Sequence, residues 1–403
     1  MDVGAVRAEV RAWLDERWDP ALSLRAWREL LVDSGWGCPS WPERFYGRGL
    51  PDAADAVVAA ELADRGAPGT PTGAGMGLAA PTIHEHGSDD LKARLLRPLA
   101  TGEHTWCQLF SEPGSGSDLA GITTTAVRDG DEWIVNGQKV WNTSAHHADL
   151  GMLVARTDWD VPKHRGITYF AFPMRQPGVE VRPLRQMNGH ASFNEVFLTD
   201  ARVAASDVVG DVGGGWAVAL ATLAHERRAF SRFGNRSSTP PPAGGRAARE
   251  ARAEADEYWQ TYEWYPQRAG RADLVVPAAQ QAGRAGDPLV RQRIAAVLTS
   301  QRVGQWTAQR AAAARTPGPE GSLAKLRATD VARSAAAAHT AVAGAHALLT
   351  GDVIAEVLVS VPAISIAGGT DEIQRNIVGE KVLGLPKEPQ VDRDRPFREI
   401  PRN

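Results

Sequence analysis

One change of pattern along the chain restricts its possible folds more than any other feature. Apolar residues recur at helical spacing over roughly the first hundred residues and again after Gly213-Gly214-Gly215. Between these regions, from 121 to 203, the pattern alternates and is rich in β-branched and aromatic residues. The order predicts an α+β fold: an N-terminal helical domain (1–104), a central antiparallel β domain (105–212) and a C-terminal helical bundle (213–403) with an insertion around 236–287.

Short-range signals give the expected elements within each domain. Asn136-Gly137, between predicted strands 132–135 and 139–142, is a strong hairpin signal, and Asp129-Gly130 is a second predicted turn. The proline-rich stretch 237–245 is predicted to be a loop. The main predicted helices cover 6–18, 22–35, 51–65, 81–99, 216–228, 288–315, 322–349 and 372–383, and the stretch 246–265 carries mixed charges and aromatic residues.

Composition excludes several classes of function. The 403 residues carry a net charge of −3 with scattered lysine and arginine, so no nucleic-acid surface is expected. The two cysteines, Cys38 and Cys107, make neither a disulfide framework nor a metal site, and His84 and His86 lack a third ligand at metal spacing. We see no signal peptide and no apolar run long enough to span a bilayer, so a cytoplasmic location is expected.

Two stretches of the central β domain are candidates for ligand binding. Residues 108–118 end in a glycine- and serine-rich loop, which is either a tight turn or a place where backbone amides approach a ligand. It has no lysine of a phosphate loop and no strand–glycine–helix unit around it. In the stretch 136–144, the alternation places Trp141 and Thr143 on the same face of a strand. An indole and a hydroxyl on one face suit a flat heteroaromatic ligand. The alternative is a half-buried strand that packs its tryptophan against the core.

A third stretch near the end of the chain, Ala367-Gly368-Gly369-Thr370-Asp371-Glu372, completes a recognisable set. Together the three resemble motifs of the acyl-CoA dehydrogenase family, and the resemblance covers nearly the whole chain. Five segments match in order: the flavin and acyl-CoA loop (108–118), the flavin strand (136–143), the strand that closes the β domain (193–203), the helix over the active site (213–227) and the C-terminal helix (369–385).

The resemblance implies a non-covalent FAD between the β domain and the C-terminal helices, and an acyl-CoA substrate. Trp141 should pack on the flavin ring and Thr143 should lie near N5, the hydride acceptor. Thr370 is also predicted from the sequence to be a helix N-cap. The residues implied to bind the cofactor are Gln108, Phe110, Ser111, Trp141, Thr143, Thr370 and Glu372, and those implied to bind substrate are Ser117 and Arg227.

The catalytic base is the main departure from the family pattern. Many members carry a glutamate where this chain has Gly368, which keeps only the backbone amide that holds the thioester carbonyl. Members that act on some branched or long acyl chains carry it on the earlier helix, before an arginine, and His225-Glu226-Arg227 matches them. Glu226 is therefore predicted to be the base, with a pKa raised by burial. The alternative is a surface glutamate paired with neighbouring arginines.

The motifs by which homotetrameric members complete each other's FAD sites are not found in this sequence. The pattern resembles paired bacterial dehydrogenases that shorten steroid side chains, which implies a heterotetramer with a second acyl-CoA dehydrogenase-like subunit. Alternatively, Arg284 replaces the missing arginine in a homo-oligomer. The expected electron acceptor is electron-transfer flavoprotein or a similar protein. A non-catalytic subunit and a flavin monooxygenase on the same scaffold are the alternative functions.

Overall fold

The computed structural model describes residues 2–233, 244–313, 320–349, 351–389 and 392–401, without the side chains of 227–233, 311–313 and 320. Helices α1 to α5 come first: Val3–Arg17, Leu24–Asp33, Ala53–Asp64, Ala80–His86 and Asp89–Thr101. Strands β1 to β7 follow: Trp106–Leu109, Thr125–Asp129, Glu132–Thr143, Leu150–Arg156, Ile167–Pro173, Val179–Leu184 and Phe193–Ala204. Helices α6 to α14 then cover Gly215–Phe233, Gly245–Gln260, Tyr265–Arg268, Val275–Gln281, Pro288–Ala313, Glu320–Ala343, Val353–Ser360, Pro362–Ile366 and Asp371–Lys381. The predicted fold class, with its order of helices, sheet and helices, is confirmed.

The seven strands form one sheet in the order β1-β4-β2-β3-β7-β6, with β5 also paired to β4. Most pairs are antiparallel, but β1 runs parallel to β4. Alternate residues of β4 enter two different cores. Met152 and Val154 pack with α4, α5 and the start of α6, whereas Leu153 and Ala155 pack with β3 and β7. Both faces of this strand are therefore buried, and its neighbour β1 contributes side chains to the same two cores.

The hairpin predicted at Asn136-Gly137 is wrong, whereas the turn at Asp129-Gly130 is confirmed. Strand β3 runs unbroken through Asn136-Gly137 and pairs with both β2 and β7. Packing explains the glycine. A Cβ atom on Gly137 would lie 2.4 Å from Thr124 Oγ1 and 2.8 Å from the Thr124 Cα. The position requires glycine because another backbone approaches closely, and no turn is involved.

Replacing Gly137 by alanine is expected to lower the stability of the protein by about 1–3 kcal/mol, because the added methyl group forces the backbone at Thr124 to move. Thermal unfolding of Gly137→Ala measures the loss. Gly286→Ala is the matched control, since a Cβ at Gly286 meets no atom of the described residues within 4 Å. Equal melting temperatures for the two variants would contradict this account.

The helix predicted over 81–99 is also wrong, because it is two helices. Gly87 has an extended backbone with ψ 148°, and Ser88 caps α5 by accepting a hydrogen bond from the Leu91 amide at 3.2 Å. The serine supplies the local alternative that ends one helix and starts the next. The loop predicted over 237–245 lies outside the described residues except for 244 and 245.

The expectation of no membrane-length apolar run also needs correction. Among the described residues, one stretch, Val353–Lys381, is long and apolar enough to cross a membrane by length and composition alone. In the structure this stretch is three helices, α12 to α14, separated at Pro362 and at Gly368-Gly369. The composition test is therefore weak evidence for a span.

Candidate active site

Glu226 lies on α6 and its side chain reaches strand β1. The Oε2 atom of Glu226 accepts a hydrogen bond from Gln108 Nε2 at 3.4 Å, and the Glu226 residue is half-buried. The backbone carbonyl of Gln108 in turn accepts a 2.7 Å hydrogen bond from Asn142 Nδ2. Asn142 lies between Trp141 and Thr143 on β3. One residue of β1 thus joins the predicted base to the strand predicted to hold the flavin.

The end of β3 departs from regular strand geometry at Trp141. Its register against β7 shifts between Lys139 and Asn142, which marks a β-bulge. Trp141 has φ 65° and Ser144 has φ 56°, in the left-handed region that bulky residues rarely adopt. Trp141 is 57% exposed and meets Phe193 edge-on at 5.7 Å. A strained segment that exposes a large aromatic ring is typical of a ligand-binding site.

The surroundings of Trp141 fit a flavin. Asn142 Oδ1 is buried without a hydrogen-bond partner among the described residues. Buried acceptors are normally satisfied, and the isoalloxazine ring carries an N–H donor that could satisfy this one. The exposed indole offers an apolar surface beside it. The residues present are therefore compatible with the cofactor that the family uses.

A buried ion pair lies behind the 108–118 loop. Lys139 Nζ is 2.9 Å from Glu112 Oε1 and donates a 3.0 Å hydrogen bond to the Phe110 carbonyl. Glu112 also accepts hydrogen bonds from the amides of Thr123 and Thr124 at 2.6 and 2.9 Å. Burial alone would raise the pKa of Glu112, but the Lys139 charge and these hydrogen bonds lower the pKa to about 2. Sequence reasoning missed this pair, because the bulge after Lys139 breaks the alternation that assigns strand faces.

The loop itself forms a tight turn, in which the backbones of Glu112 and Ser115 exchange hydrogen bonds of 2.9 and 3.0 Å. The ring of Phe110 is buried against Tyr169, and the Phe110 carbonyl is taken by Lys139. Ser111 is half-buried and Ser117 is exposed. The backbone amide of Phe110 is therefore the group predicted to contact the flavin. The contacts of Ser111 with the flavin and of Ser117 with the substrate also stay predictions.

The glycine turn before α14 explains why a base is disfavoured at position 368. Gly368 has φ 66° and Gly369 has φ 82°, a conformation that costs any side-chain-bearing residue free energy. Gln374 Nε2 fixes the turn by donating a 2.9 Å hydrogen bond to the Gly368 carbonyl. The predicted N-cap is confirmed, because the Thr370 side chain accepts a hydrogen bond from the Ile373 amide. Glu372 is exposed at the start of the helix.

An aromatic segment that sequence reasoning did not single out lies between Glu226 and Trp141. Trp264 packs 5.8 Å from Phe193, the ring that meets Trp141, and its indole N–H donates to Ser192 Oγ at 2.8 Å. Burial raises the pKa of Tyr265, and the nearby Glu226 charge raises it further while Arg268 opposes them. The sequence did carry a signal for this segment, the high density of aromatic residues, since five of the eight residues 258–265 are aromatic.

The remaining predicted residues lie apart from this cluster or cannot be placed. The side chain of Arg227 is outside the described residues. Arg284 forms a 2.7 Å ion pair with Asp287 and donates to the Ala341 carbonyl of its own chain. Burial, then the charge of Lys92, lowers the pKa of His84 to about 4. In the parts of the chain that the structure describes, no group of three or more potential metal ligands occurs.

The order of helices, sheet and helices is the architecture of a class of flavoprotein oxidoreductases that act on acyl thioesters. Models of three acyl-CoA dehydrogenase domains match the chain: the N-terminal domain at residues 3–103, the middle domain at 107–201 and the C-terminal domain at 273–383. The chain belongs to the acyl-CoA dehydrogenase family and is an acyl-CoA dehydrogenase, as the resemblance indicated.

Comparison with individual proteins also shows similarity to acyl-CoA dehydrogenases. The acyl-CoA dehydrogenase IpdE1 of Mycobacterium tuberculosis is 34% identical over 411 residues, covering 96% of this chain and 99% of the relative. The acyl-CoA dehydrogenase FadE34 of the same organism is 36% identical over 386 residues, which are 96% of this chain and 48% of FadE34. A solved structure, the ChsE4-ChsE5 complex from M. tuberculosis, is similar with a TM-score of 0.64 and 27% identity, covering 96% of this chain and 98% of the solved one.

Proposed function

We propose that this enzyme carries out the FAD-dependent α,β-dehydrogenation of an acyl-CoA thioester to the trans-2-enoyl-CoA, with Glu226 as the base. The observation that carries the proposal is the hydrogen bond that Gln108 donates to Glu226. The backbone carbonyl of Gln108 also accepts a hydrogen bond from Asn142, which lies between Trp141 and Thr143. This contact brings the carboxylate to the flavin strand, and it argues against a glutamate that only pairs with arginines at the surface.

The chemistry assigns one task to each group. The α-hydrogen of a thioester is weakly acidic, so its removal needs a positioned base and donors for the developing enolate oxygen. Glu226 takes the α-proton, and the amide of Gly368 holds the thioester oxygen. FAD, when bound, supplies the acceptor for the hydride that leaves the β-carbon. Gln108 orients the carboxylate by its hydrogen bond. Loss of the proton and the hydride leaves the double bond.

Residues of the β domain would hold the cofactor. Trp141 offers its exposed ring, Thr143 its hydroxyl, and Asn142 a buried acceptor. Thr370 and Glu372 stand at the start of α14, at the positions where the family resemblance implies contacts with the cofactor. The acyl group is proposed to be bulky or branched, because the base lies on the earlier helix beside an aromatic segment. Electron-transfer flavoprotein is the proposed electron acceptor, and the proposed location is the cytoplasm.

A second, non-identical subunit is proposed to complete the flavin site. The similar ChsE4-ChsE5 structure is a complex of two different proteins. The C-terminal helices of this chain leave large apolar side chains exposed, among them Leu289 (76%), Trp306 (59%), Ile366 (65%) and Leu383 (67%). Exposed apolar area of this kind marks interaction surfaces. Arg284 is occupied within its own chain, which disfavours the homo-oligomer alternative.

Purified alone, the protein is expected to hold much less than one FAD per chain, and co-expression with the partner should restore a full complement. The ratio of flavin to protein absorbance measures occupancy, and size-exclusion chromatography measures assembly. Candidate partners are acyl-CoA dehydrogenase-like proteins encoded nearby. Full FAD occupancy with acyl-CoA turnover in the isolated chain would refute the partner proposal and leave the Glu226 proposal intact.

A further inference from the structure

Asp371, two positions after Gly369, is the first residue of α14 and carries a buried carboxylate. It is 2% exposed. Its Oδ1 atom accepts hydrogen bonds from Lys325 Nζ at 2.5 Å and from Thr329 Oγ1 at 3.0 Å, and its Oδ2 atom lies 3.4 Å from a guanidinium nitrogen of Arg333. Burial alone would raise the pKa of Asp371, but the hydrogen bonds from Lys325 and Thr329 outweigh it and lower the pKa. Asp371 is therefore an anion near neutral pH.

The three partners of Asp371 form one stripe along α11. Lys325, Thr329 and Arg333 follow each other at intervals of four residues, which places them on the same face of the helix. Helix α11 is 24 residues long and packs against both α10 and α14. The stripe therefore presents two cations and a hydroxyl to the start of α14 from a firmly held element.

Lys325 attaches to the glycine turn on both sides. Besides Asp371 after the turn, its ammonium group donates a 3.2 Å hydrogen bond to the backbone carbonyl of Ser365, near the end of α13 and before the turn. An ammonium group has three donors, so it can serve both acceptors at once. Gly368 and Gly369 lie between the two attachment points. Glycines restrict the backbone little, so a turn that contains two of them depends on such contacts to keep one conformation.

The contact with Ser365 does something that the contact of Gln374 does not. Gln374 Nε2 holds the Gly368 carbonyl at 2.9 Å, and this carbonyl belongs to the peptide that follows Gly368. The amide of Gly368 belongs to the peptide that precedes it, on the side that Lys325 attaches through Ser365. The direction of this amide therefore depends on Lys325 as well as on Gln374.

We propose that Lys325 is a positioning residue for the reaction: by joining Ser365 to Asp371, it aims the amide of Gly368 at the thioester oxygen. The inference rests on the proposed function, which assigns that oxygen to the Gly368 amide. Negative charge develops on the oxygen as the α-proton leaves, so the hydrogen bond is strongest in the transition state. A misdirected amide therefore costs rate more than it costs substrate affinity.

Lys325→Met is expected to lower the limiting rate of flavin reduction by acyl-CoA about thirtyfold, somewhat less than the loss of a whole oxyanion donor. The dissociation constant of the substrate should change less than about threefold. Anaerobic stopped-flow measurements on the FAD-loaded complex with its partner give both values. Arg327→Met is the matched control, since it breaks an exposed pair with Asp330 on the same helix and should react as the wild type does.

The carbonyl stretch of bound trans-2-enoyl-CoA, labelled with ¹³C at the thioester, reports on the amide itself. A hydrogen bond to the oxygen polarises the C=O bond and lowers its stretching frequency. The infrared band is expected at a lower frequency in the wild type than in Lys325→Met. Lys325→Arg keeps a cation and N–H donors for Asp371, so it should restore most of the rate and of the band shift. A band in Lys325→Met that is identical to the wild-type band overturns the proposal.

A double variant separates positioning from stability. Lys325→Met leaves the buried Asp371 without its closest cation, so the melting temperature should fall. Adding Asp371→Asn removes the buried charge, so the melting temperature should rise again while the rate stays low and the band stays shifted. The double variant also carries these measurements if the single variant does not retain FAD. Recovery of the rate together with the melting temperature would show that Lys325 acts only through stability, which contradicts the proposal.

A failure of the proposed function gives a different result. If the wild-type complex does not reduce its flavin with acyl-CoA, the α,β-dehydrogenation is contradicted. The carbonyl band still tests Lys325 in that case, because it requires a bound thioester and no proton transfer. The two proposals are therefore scored by separate measurements.

Discussion

Replacement of Glu226 by glutamine is expected to slow flavin reduction by acyl-CoA roughly a thousandfold, within the range that general bases contribute. Glutamine keeps the size of the side chain and an acceptor for the hydrogen bond from Gln108 Nε2, but it cannot take a proton. The half-buried position on α6 should therefore stay packed, and FAD content should be unchanged. Anaerobic stopped-flow bleaching of the flavin absorbance measures the rate, and the resting spectrum measures the cofactor.

Glu85→Gln provides the matched control for this experiment. Glu85 accepts a 3.3 Å hydrogen bond from His225, the neighbour of Glu226, and its side chain is 54% exposed. Removal of this carboxylate should leave the rate near that of the wild type. If Glu226→Gln bleaches at the wild-type rate, Glu226 is not the base. If both variants lose the rate together, the effect belongs to the packing around α6 and not to proton transfer.

Replacement of Lys139 by methionine is expected to destabilise the protein by about 3–5 kcal/mol, the usual consequence of leaving one partner of a buried ion pair alone. Lys139 is 0% exposed, and Glu112, which remains, is 6% exposed. The substitution also frees the Phe110 carbonyl, to which Lys139 donates at 3.0 Å, so the flavin loop should loosen and FAD occupancy should fall. Thermal unfolding and flavin content measure the two effects.

Two further variants separate charge from packing. Adding Glu112→Gln to Lys139→Met removes the unpaired charge and keeps an acceptor for one of the two amides, of Thr123 or of Thr124, so part of the stability should return. Arg182→Met breaks the exposed pair with Glu180 on β6 of the same sheet and should have little effect. A Lys139→Met protein as stable as Arg182→Met would contradict the importance of the buried pair.

The same pair predicts a pH dependence. The folded-state pKa of Glu112 is about 2, below its ordinary value of 4.5, so the pair stabilises the protein fully above that ordinary value. The stabilisation is lost as the pH falls from about 4.5 towards 2. The difference in stability between wild type and Lys139→Met should therefore narrow over this window, which denaturant unfolding at several pH values can measure.

Sequence predictions held where a signal acts within a few residues. The N-cap at Thr370 and the turn at Asp129-Gly130 depend on side chains and backbone angles of neighbouring positions, and both are present in the structure. The Asn136-Gly137 signal failed because the reason for the glycine is Thr124, on a different segment. The Asn-Gly pair is compatible with a turn, but packing across the sheet stabilises a continuous strand at this position.

For the site, the sequence supplied the candidates and their chemical types: a carboxylate on the first helix after the sheet, an aromatic and a hydroxyl on one strand, and a glycine where a base is usual. The buried pair of Lys139 and Glu112 and the aromatic segment at 258–265 were not among them. Both depend on a bulge and on packing that no periodic pattern encodes.

By itself, then, the sequence determined the element types, their order and the family, because hydrophobic period and motif spacing are properties of the linear chain. Only the tertiary structure decided which side chains meet. Gln108 and Glu226 are 118 positions apart, and their hydrogen bond exists because β1 contributes side chains to two buried cores while α6 packs on β5 and α4 in the first of them. Long-range contacts of this kind depend on the packing of the whole sheet, so no local pattern could have shown where the predicted base would point.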